Sequence, residues 1–413
     1  MMCEWNKTKL ADILTESKIS VEKNREDIYK RLSVKLHLNG VHKREVRDND
    51  NIGKTRYYER KAGQFIYGKQ NLHNGAVGII PNCLDGYQSS SDIPTFDISN
   101  SINSKWLLYY FSRKHFYKGL ERLSTGTGSK RINPKNLLEL SINIPPLKEQ
   151  RKIAAILSSV DEAIEKTEQI IEQTERVKKG LMQELLTKGI GHTEFQDSPI
   201  GKIPKEWSIK SLSEVLKVQG GYAFKSKDAV DKGIPWFKIA NVSIGQTNWS
   251  DRSYLPMDFK DIYHSYVLKA GDIVMAMTRP ILSNQTKVVK LEESDVPALL
   301  NQRVCRFIFE NQESGDYLYH VFRSRYFSNE ILLKIAGTDP PNVSSKQIES
   351  IIIPYPTAIE QKKIVKVLNK YDASLNTEMN KLKKLTILKH GLMQELLTGK
   401  KRVKVDDSEE VLS

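Results

Sequence analysis

An eight-residue string, GLMQELLT, occurs twice in this chain, once at 180–187 and again at 391–398. An identical string of this length indicates an internal repeat rather than chance similarity. The same offset of 211 positions also aligns single residues upstream, namely Lys178 with Lys389, Asp161 with Asp372, Leu157 with Leu368, Glu149 with Glu360 and Leu107 with Leu318. The chain of 413 residues is therefore expected to contain two copies of one unit of about two hundred residues.

Each copy ends in a long segment with helical periodicity. Between Lys148 and Lys188 there is no proline and one glycine, and apolar residues recur in steps of three and four among charged residues. This pattern predicts an amphipathic helix with one apolar seam. The predicted seam residues are Ile153, Leu157, Val160, Ile164, Ile171, Leu181 and Leu185 in the first helix, and Ile364, Leu368, Tyr371, Leu375, Leu382, Leu392 and Leu396 in the second. One such helix is only marginally stable alone, so we expect the two to pack against each other.

The rest of each copy is typical of an α+β domain. Short β-rich runs at 64–67 and 76–80 alternate with turn residues in the first copy, and 105–123 has helical spacing. The second copy has strand-like runs at 236–239, 272–277 and 304–309.

The predicted fold class is α+β, with two tandem globular domains joined by two long helices. We expect these helices to form an antiparallel coiled coil that reflects a pseudo-twofold internal duplication. The predicted segments are a first domain at 1–144, a first spacer helix at 145–188, a linker at 189–205, a second domain at 206–354, a second spacer helix at 355–398 and a disordered tail at 399–413.

Composition narrows the class of protein. Sixty-four basic residues against 50 acidic residues give a net charge of +14 without one polybasic tail, which favours a polyanionic partner such as nucleic acid. Cys3, Cys83 and Cys305 lack metal-ligand spacing, so we expect buried thiols in a reducing compartment and no metal site. No signal peptide or membrane span is apparent, and we expect a cytoplasmic protein.

Three short sequences resemble parts of catalytic sites, but none is complete. Residues 339–342 read DPPN, whereas amino-methyltransferases place an aromatic residue at the fourth position to stack on a flipped base. Residues 52–55 resemble the end of a phosphate-binding loop, but Asp48 replaces its first glycine. Residues 125–130 could bind phosphate through backbone amides, although a helix-ending loop is the commoner structure. We therefore expect no catalytic centre in this chain.

Cations interleaved with aromatic and amide side chains are candidate DNA contacts. The candidates are Lys35, Lys54, Arg56, Arg60, Lys61, Arg113, Lys114 and Lys118 in the first domain, and Lys225, Lys227, Lys238, Arg279, Gln302, Arg303, Arg323 and Arg325 in the second. The Gln302 amide suits adenine and the Arg303 guanidinium suits guanine. For any single cation, a solvated surface position is the alternative interpretation.

Three passages carry a family resemblance: IPPLKEQRKIAAILSSVDEAI at 144–164, SPIGKIPKEW at 198–207 and GGYAFKSKDAVDKGIPWFKIANV at 220–242. Together with the repeat, they closely resemble the specificity subunit of type I restriction-modification systems over almost the whole chain. The resemblance implies that each globular domain is a target recognition domain for one half of a bipartite, asymmetric site in double-stranded DNA. It also implies that the helices hold the two domains at a set distance.

The resemblance further implies partners and cofactors. Two modification (methyltransferase) subunits dock on the helices, and ATP-dependent restriction subunits join the complex, with no membrane involved. S-adenosylmethionine, ATP and Mg belong to those partner subunits, and no cofactor is expected in this chain. The shared sequence Lys-Ala-Gly is preceded by YYER at 57–60 in the first copy and by SYVL at 265–268 in the second. We therefore expect the two domains to bind different half-sites.

Two other functions remain open at the level of sequence. The chain could be a stand-alone DNA modification enzyme, which the missing cofactor motifs disfavour. It could also be a coiled-coil adaptor that binds no DNA, which the basic domains with different loops disfavour.

Overall fold

The structure, a computed structural model, describes residues 4–22, 30–45, 55–125, 130–337 and 339–404. It divides into two units, of which unit 1 comprises Met1–Gln169 with Met379–Ser413 and unit 2 comprises Ile170–Glu378. Each unit therefore contains one globular domain together with part of each long helix.

In its described residues, the first domain is built from short strands and three short α-helices. Its strands are β1 Asn6–Lys9, β2 Leu14–Ser17, β3 Ile19–Ser20, β4 Arg31–Val34, β5 Val41–Arg44, β6 Tyr57–Glu59, β7 Phe65–Tyr67, β8 Val77–Ile79, β9 Gln88–Ser90, β10 Thr95–Ile98 and β11 Ser141–Ile144. Its helices are α1 Ser104–Ser112, α2 Lys114–Gly119 and α3 Pro134–Leu138. The strands form a pair β1–β11, a sheet ordered β2-β10-β7-β8 and a sheet ordered β3-β6-β9-β4-β5.

The single helix predicted at 105–123 is interrupted. Arg113 adopts an extended backbone, with φ −65° and ψ 119°, and separates α1 from α2. A short 3₁₀ turn, Leu120–Leu123, then continues from α2. The aromatic residues still pack inward at the break, since Phe116 contacts Phe111 edge to face at 5.2 Å between ring centroids. The helical spacing was therefore correct, but the prediction missed the break.

The two long helices are α4, Leu147–Leu185, and, after the second domain, α9, Ala358–Leu396. The second domain contributes β12 Phe195–Gln196, β13 Ile203–Pro204, β14 Ser208–Ser211, β15 Leu216–Gly220, β16 Ile234–Phe237, β17 Tyr254–Leu255, β18 Val267–Leu268, β19 Ile273–Ala276, β20 Ile281–Leu282, β21 Gln285–Thr286, β22 Val288–Lys290, β23 Ala298–Leu300, β24 Val304–Phe309 and β25 Ile352–Tyr355. Its short helices are α5 Phe259–Ile262, α6 Gly315–Phe322, α7 Arg325–Ile335 and α8 Ser345–Glu349.

The second domain repeats the strand pairing of the first. Its pair β14–β25 corresponds to β1–β11, and its sheet β15-β24-β19-β22 corresponds to β2-β10-β7-β8. A second sheet, ordered β17-β16-β23-β18, takes the place of the five-stranded sheet of the first domain. The duplication inferred from sequence is therefore a duplication of topology.

The long helices complete the hydrophobic core of each domain. In unit 1, Ile153 and Leu157 near the start of α4 pack in the same core as Met393 and Leu396 near the end of α9. In unit 2 the roles are exchanged, since Ile364 and Leu368 of α9 share a core with Leu185 of α4. The start of one helix thus lies beside the end of the other within each unit, which is the antiparallel arrangement predicted from the sequence.

The seam residues predicted from the sequence are all buried or half-buried. The apolar stripe is not fully covered, however, because Val177, Met379 and Leu388, which share its spacing, are exposed. Thr167 and Lys178 are buried within α4 although neither is apolar. The seam is therefore less regular than its apolar spacing predicts.

Two segments predicted to lack structure pack against the long helices. The predicted linker at 189–205 contains the pair β12–β13, and Ile203 is buried in the core of unit 2. In the predicted tail, Arg402 donates hydrogen bonds from Nε and Nη2 to the two carboxylate oxygens of Glu149, at 2.8 and 2.7 Å. The prediction of disorder from 399 was wrong as far as residue 404, while 405–413 lie outside the described residues.

The cysteine prediction was correct for one residue and wrong for another. Cys305 is buried, and burial raises the pKa of its thiol to about 12. Cys83 is exposed, contrary to the expectation of a buried thiol. Cys3 lies outside the described residues.

Candidate nucleic-acid interface

One edge of the sheet β15-β24-β19-β22 gathers most of the predicted contacts of the second domain. Because its neighbouring strands are antiparallel, the ends of β15 and β19 lie beside the starts of β24 and β22. We call this border and its loops the second-domain edge. Loops at such an edge are free to vary while the strands hold them in place.

Lys225 and Lys227 follow β15 in a loop that lies along Gln302 and Arg303 at the start of β24. The backbone NH of Tyr222 donates to Leu300 O at 2.9 Å, and that of Gln302 donates to Tyr222 O at 2.9 Å. These hydrogen bonds hold the start of the loop that carries Lys225 and Lys227 against Gln302, at the second-domain edge.

Gly221 makes this close approach possible. A Cβ atom at that position would lie 2.2 Å from Asn301 O, which no real side chain could tolerate. The glycine therefore fixes the loop against the next strand.

Aromatic rings support the same loop. Tyr222 is partly exposed, and its ring centroid lies 4.5 Å from that of Tyr263 and 5.0 Å from that of Phe224. Neither Tyr222 nor Tyr263 was predicted from the sequence. Tyr222 lies in the loop that carries the two lysines, and exposed aromatic rings often stack on bases in nucleic-acid sites.

Arg279 joins the edge through the DPPN segment. Its backbone NH donates to Pro341 O at 2.8 Å, while Thr278 Oγ1 donates to Asn342 Oδ1 at 2.9 Å. The NH of Met277 also donates to Arg303 O at 2.9 Å. The segment considered as a methyltransferase motif thus has a structural role, since it positions the loop that carries Arg279.

The other predicted cations of the second domain are placed differently. Lys238 follows β16 at the same edge, but its Nζ donates to Ser253 Oγ at 2.7 Å and is half-buried. Arg323 is tied to α9, because its Nη1 lies 3.1 Å from Asp372 Oδ2. Because this ion pair holds its guanidinium against α9, Arg323 is not counted among the residues of the second-domain edge. Arg325 is exposed at the first residue of α7.

The first domain has an equivalent edge, formed by the ends of β2 and β7 with the starts of β10 and β8. We call it the first-domain edge. The β4–β5 hairpin reaches it, since His37 NH donates to Asn74 O at 2.9 Å. Lys35 lies in that hairpin, and Lys118 Nζ donates to Asn74 Oδ1 at 3.0 Å. Two predicted contacts therefore meet there.

The first-domain edge also carries cations that the sequence analysis missed. The NH of Lys69 donates to Asp92 O at 2.9 Å, and that of Ile132 donates to Lys69 O at 2.9 Å. Arg131, the residue before Ile132, forms an ion pair with Asp92, with 3.4 Å between Nη1 and Oδ1. The repeat contained the signal, because Ile132 aligns at the offset of 211 with Val343, whose NH donates to Met277 O.

The remaining first-domain predictions do not converge on this edge. Lys61 precedes β7 and so lies towards its opposite end, and Arg56 is exposed just before β6. Lys114 is exposed on α2, while Arg113 packs over the Tyr110 ring at 3.9 Å and burial lowers its pKa. Lys54 and most of the two glycine-containing loops, 52–55 and 125–130, lie outside the described residues.

Arg60 is a correction to the predicted DNA contacts. Its side chain is 1% exposed, and it donates to Ser89 Oγ and Thr95 Oγ1 at 2.7 Å each and to Ser17 O at 2.9 Å. Burial lowers the pKa of Arg60 to about 10. The guanidinium joins the two sheets of the domain from inside and has no exposed surface to offer DNA.

The duplicated arrangement has a counterpart among known proteins. A family model described as "Type I restriction modification DNA specificity domain" matches the chain twice, at residues 2–176 and 204–387. The chain belongs to the type I restriction-modification specificity family. It is a specificity subunit with two tandem DNA specificity domains, one in each unit.

Individual relatives agree with this assignment. The type I restriction enzyme MjaVIII specificity subunit of Methanocaldococcus jannaschii is 32% identical over 97% of this chain and 94% of its own length. The EcoAI specificity subunit of Escherichia coli is 31% identical over 51% of this chain and 35% of its own length. The crystal structure of an S subunit from M. genitalium shares the fold, with a TM-score of 0.60 at 16% identity over 95% of this chain and 96% of that one.

In the described part of the specificity subunit, no cluster of three His, Cys, Asp or Glu side chains could hold a metal ion. No helix among the same residues is long and apolar enough to cross a membrane.

Proposed function

We propose that each globular domain binds one half of a bipartite, asymmetric DNA site through its sheet edge, and that the chain has no catalysis of its own. The observation that carries this proposal is the duplicated edge with different side chains. The second-domain edge exposes Arg279, Gln302 and Arg303. The first-domain edge offers Lys35 and Lys118 at the corresponding border.

The two edges hold the side chains that DNA recognition needs. Lysines neutralise phosphates and fix the position of the protein on the duplex, whereas amides and guanidinium groups can pair with base edges in the major groove. Gln302 and Arg303 are adjacent, and backbone hydrogen bonds to Tyr222 and Met277 fix their loop. A fixed backbone lowers the conformational entropy lost when such side chains bind.

Corresponding positions differ, which supports an asymmetric target. At the offset of 211, Arg131 of the first domain aligns with Asn342 of the second. Arg131 pairs with Asp92, whereas Asn342 accepts a hydrogen bond from Thr278. Because different groups occupy equivalent places, the two half-sites should not be copies of one another.

The partners follow from membership of the family. We propose that two modification subunits dock on the long helices and that ATP-dependent restriction subunits join the complex. S-adenosylmethionine, ATP and Mg would be bound by those subunits.

Exchange of the second domain tests the proposal. Residues 206–353 would be replaced by the corresponding domain of a relative with a different known target, and methylated sites would be mapped in cells. One half-site should change and the other should stay the same. A change in both halves would contradict the assignment of one half-site to each domain.

A biochemical test addresses catalysis. The purified chain should bind DNA in a shift assay but transfer no methyl group from S-adenosylmethionine until modification subunits are added. Methyl transfer by the chain alone would contradict the proposal.

A further inference from the structure

One exposed aromatic ring at the second-domain edge is not needed to close the core of its domain. Tyr222 is 38% exposed and lies in the loop that follows β15. A small apolar core next to this loop contains the buried side chains of Phe224 and Trp236, and the half-buried rings of Tyr263 and Tyr266 pack against it. The core is thus covered by other rings, and burial does not account for a tyrosine at position 222.

The ring of Tyr222 is nevertheless held firmly by its neighbours. Its centroid lies 4.5 Å from that of Tyr263, 5.0 Å from that of Phe224 and 5.5 Å from that of Tyr266. Its backbone is fixed as well, since its NH donates to Leu300 O at 2.9 Å. A restrained ring loses little further freedom when it binds a partner, which favours contact with one defined group.

The segment that carries Tyr263 is tied to the strands of the edge. Arg306 on β24 donates from Nη2 to Ser265 O and from Nη1 to Val267 O, at 3.0 Å each. The same Nη2 donates to Gln219 Oε1, near the end of β15, at 2.6 Å. The aromatic cluster is therefore fixed to the strands whose loops form the second-domain edge.

Tyr222 lies beside side chains that suit the edges of bases. The NH of Gln302 donates to Tyr222 O at 2.9 Å, and Arg303 is the next residue. In the major groove a glutamine amide pairs with adenine N6 and N7, whereas thymine presents a C5-methyl group that accepts apolar contacts. An amide with an apolar ring beside it is a combination that selects A·T base pairs.

The two rings are features of the second domain alone. The shared Glu-Trp at 4–5 and 206–207 sets an offset of 202 positions between the copies, and the shared Lys-Ala-Gly at 61–63 and 269–271 sets an offset of 208. With these offsets, Ser20 corresponds to Tyr222 and Thr55 corresponds to Tyr263. Neither side chain of the first domain is aromatic, so a contact made by these rings should affect one half-site only.

We propose that Tyr222 contacts the C5-methyl group of a thymine in the half-site of the second domain, and that this contact selects an A·T base pair there. The inference rests on the proposed function and adds the chemical group that one named side chain recognises. A methyl contact fits the ring better than stacking does. Three other rings lie within 5.5 Å of Tyr222, whereas a stacked base needs a free ring face.

Uracil tests the methyl contact directly, because it differs from thymine only in lacking that group. The target would first be mapped by methylation, and the half-site of the second domain would be identified by exchange of residues 206–353. The chain, together with the modification subunits of its own system, would then be titrated with duplexes in which each thymine is replaced in turn by uracil. One replacement in the second-domain half-site should weaken binding by about fourfold, as expected for one buried methyl group.

Two variants connect this effect to the ring. Tyr222→Ser introduces the residue of the first domain and should bind the thymine and uracil duplexes equally at the sensitive position. Tyr222→Phe removes only the hydroxyl and should keep the preference for thymine. The thymines of the other half-site are the matched control, because neither variant should change the effect of uracil there.

Several results would overturn the inference. A second-domain half-site without an A·T pair, or equal affinity for thymine and uracil throughout it, would exclude a methyl contact. Equal affinities combined with weaker binding by Tyr222→Ser would assign the ring to stacking on a base. A preference for thymine that persists in Tyr222→Ser would assign the contact to another residue, and one that is lost in Tyr222→Phe would assign it to the hydroxyl.

Failure of the proposed function would look different. In that case the original chain with its modification subunits would bind no duplex of the mapped target more tightly than unrelated DNA. The thymine and uracil duplexes would then be bound equally by the original chain and both variants, in both half-sites.

Discussion

Lys389, near the end of α9, forms an ion pair with Asp161 of α4, with 2.5 Å between Nζ and Oδ1. The repeat equivalents of these residues, Lys178 and Asp372, form the same pair in unit 2 with the helices exchanged. Each pair joins a lysine from one copy of the sequence to an aspartate from the other. The four residues therefore fix the register of α4 against α9 separately within each unit.

The two pairs should differ in their contribution to stability because their burial differs. The side chains of Lys178 and Asp372 are 6% and 26% exposed, whereas those of Lys389 and Asp161 are 32% and 36% exposed. Lys178→Met should reduce the free energy of unfolding of unit 2 by about 3 kcal/mol, because it removes a buried partner of the half-buried Asp372 carboxylate. Lys389→Met should cost about 1 kcal/mol or less. Hydrogen exchange resolved by segment would measure both, and equal costs would contradict the argument.

His320 is expected to make unit 2 sensitive to acid. Its Nε2 lies 2.9 Å from Asn369 Oδ1, and its Nδ1 has no hydrogen-bond partner in the described structure. Burial, with help from Arg323, lowers its pKa from 6.5 to about 4. The folded state therefore keeps the imidazole neutral at pH values where the unfolded chain binds a proton.

The sign of the effect follows from proton linkage. Stability from this group is fully present above pH 6.5 and is lost as the pH falls towards about 4, by roughly 1.4 kcal/mol per pH unit. His320→Gln should remove that slope, because glutamine does not titrate. Urea unfolding of both proteins between pH 7 and about 4.5 would measure the difference. Parallel curves would show that His320 is not the group responsible.

The sequence predicted the duplication and the long helices because both leave periodic signals. The string GLMQELLT and the seam around Leu157 and Leu368 depend only on local spacing. Whether an individual cation is buried or exposed depends on contacts between residues that are far apart in the chain. The local spacing of residues in the sequence does not report such contacts. Arg60 and Lys61 are adjacent in the sequence. Arg60 is enclosed by Ser89 and Ser17, which lie 29 and 43 positions away, whereas Lys61 is exposed.

The same distinction explains the site residues that were missed. Lys69 and Tyr222 have no sequence motif of their own, and they reach the edges through hydrogen bonds to residues such as Asp92 and Leu300. An alignment of the two copies indicates which loops correspond, since equivalent strands form the two edges. The differences between the copies are themselves the expected signature of two recognition domains.

Arg60 should matter for folding and not directly for DNA binding. Arg60→Met removes hydrogen bonds to Ser89, Thr95 and Ser17 and leaves buried acceptors unpaired. We expect unit 1 to lose about 2 to 4 kcal/mol of stability, as measured by hydrogen exchange. Lys61→Ala, at the exposed neighbouring position, should leave stability unchanged. An Arg60→Met protein with normal stability and weakened DNA binding would restore Arg60 as a contact.

Side chains at the second-domain edge should affect DNA binding in two different ways, either at one base position or equally for all sequences. Arg303→Ala should cost about 1 to 3 kcal/mol of binding and relax discrimination at one position of a single half-site. Lys225→Ala should weaken binding to all sequences alike and reduce the slope of log affinity against log salt by about one. Binding measured on a panel of half-site variants at several salt concentrations would distinguish them. Identical effects of both changes would contradict this division.

We expect the long helices to set the length of the gap between the two half-sites. The boundary between the units crosses α4 between Gln169 and Ile170 and α9 between Glu378 and Met379. Four residues inserted at both points leave the pairs Lys178–Asp372 and Lys389–Asp161 within their own units. The same insertion just before Gly180 would instead separate the start of the GLMQELLT string from Lys178 and disturb the core of unit 2.

Four added residues lengthen a helix by about 6 Å and turn it by about 40° beyond one full turn, so the seam stays nearly in phase. We expect methylation mapping to find both half-site sequences unchanged and the gap between them longer by one or two base pairs, since ten base pairs span about 34 Å. Two residues added at both points turn each helix by about 200° instead, so each unit keeps its own core but the two domains are rotated relative to each other, and methylation of the bipartite site should be lost. An unchanged gap after the four-residue insertion would mean that some other part of the complex sets the spacing.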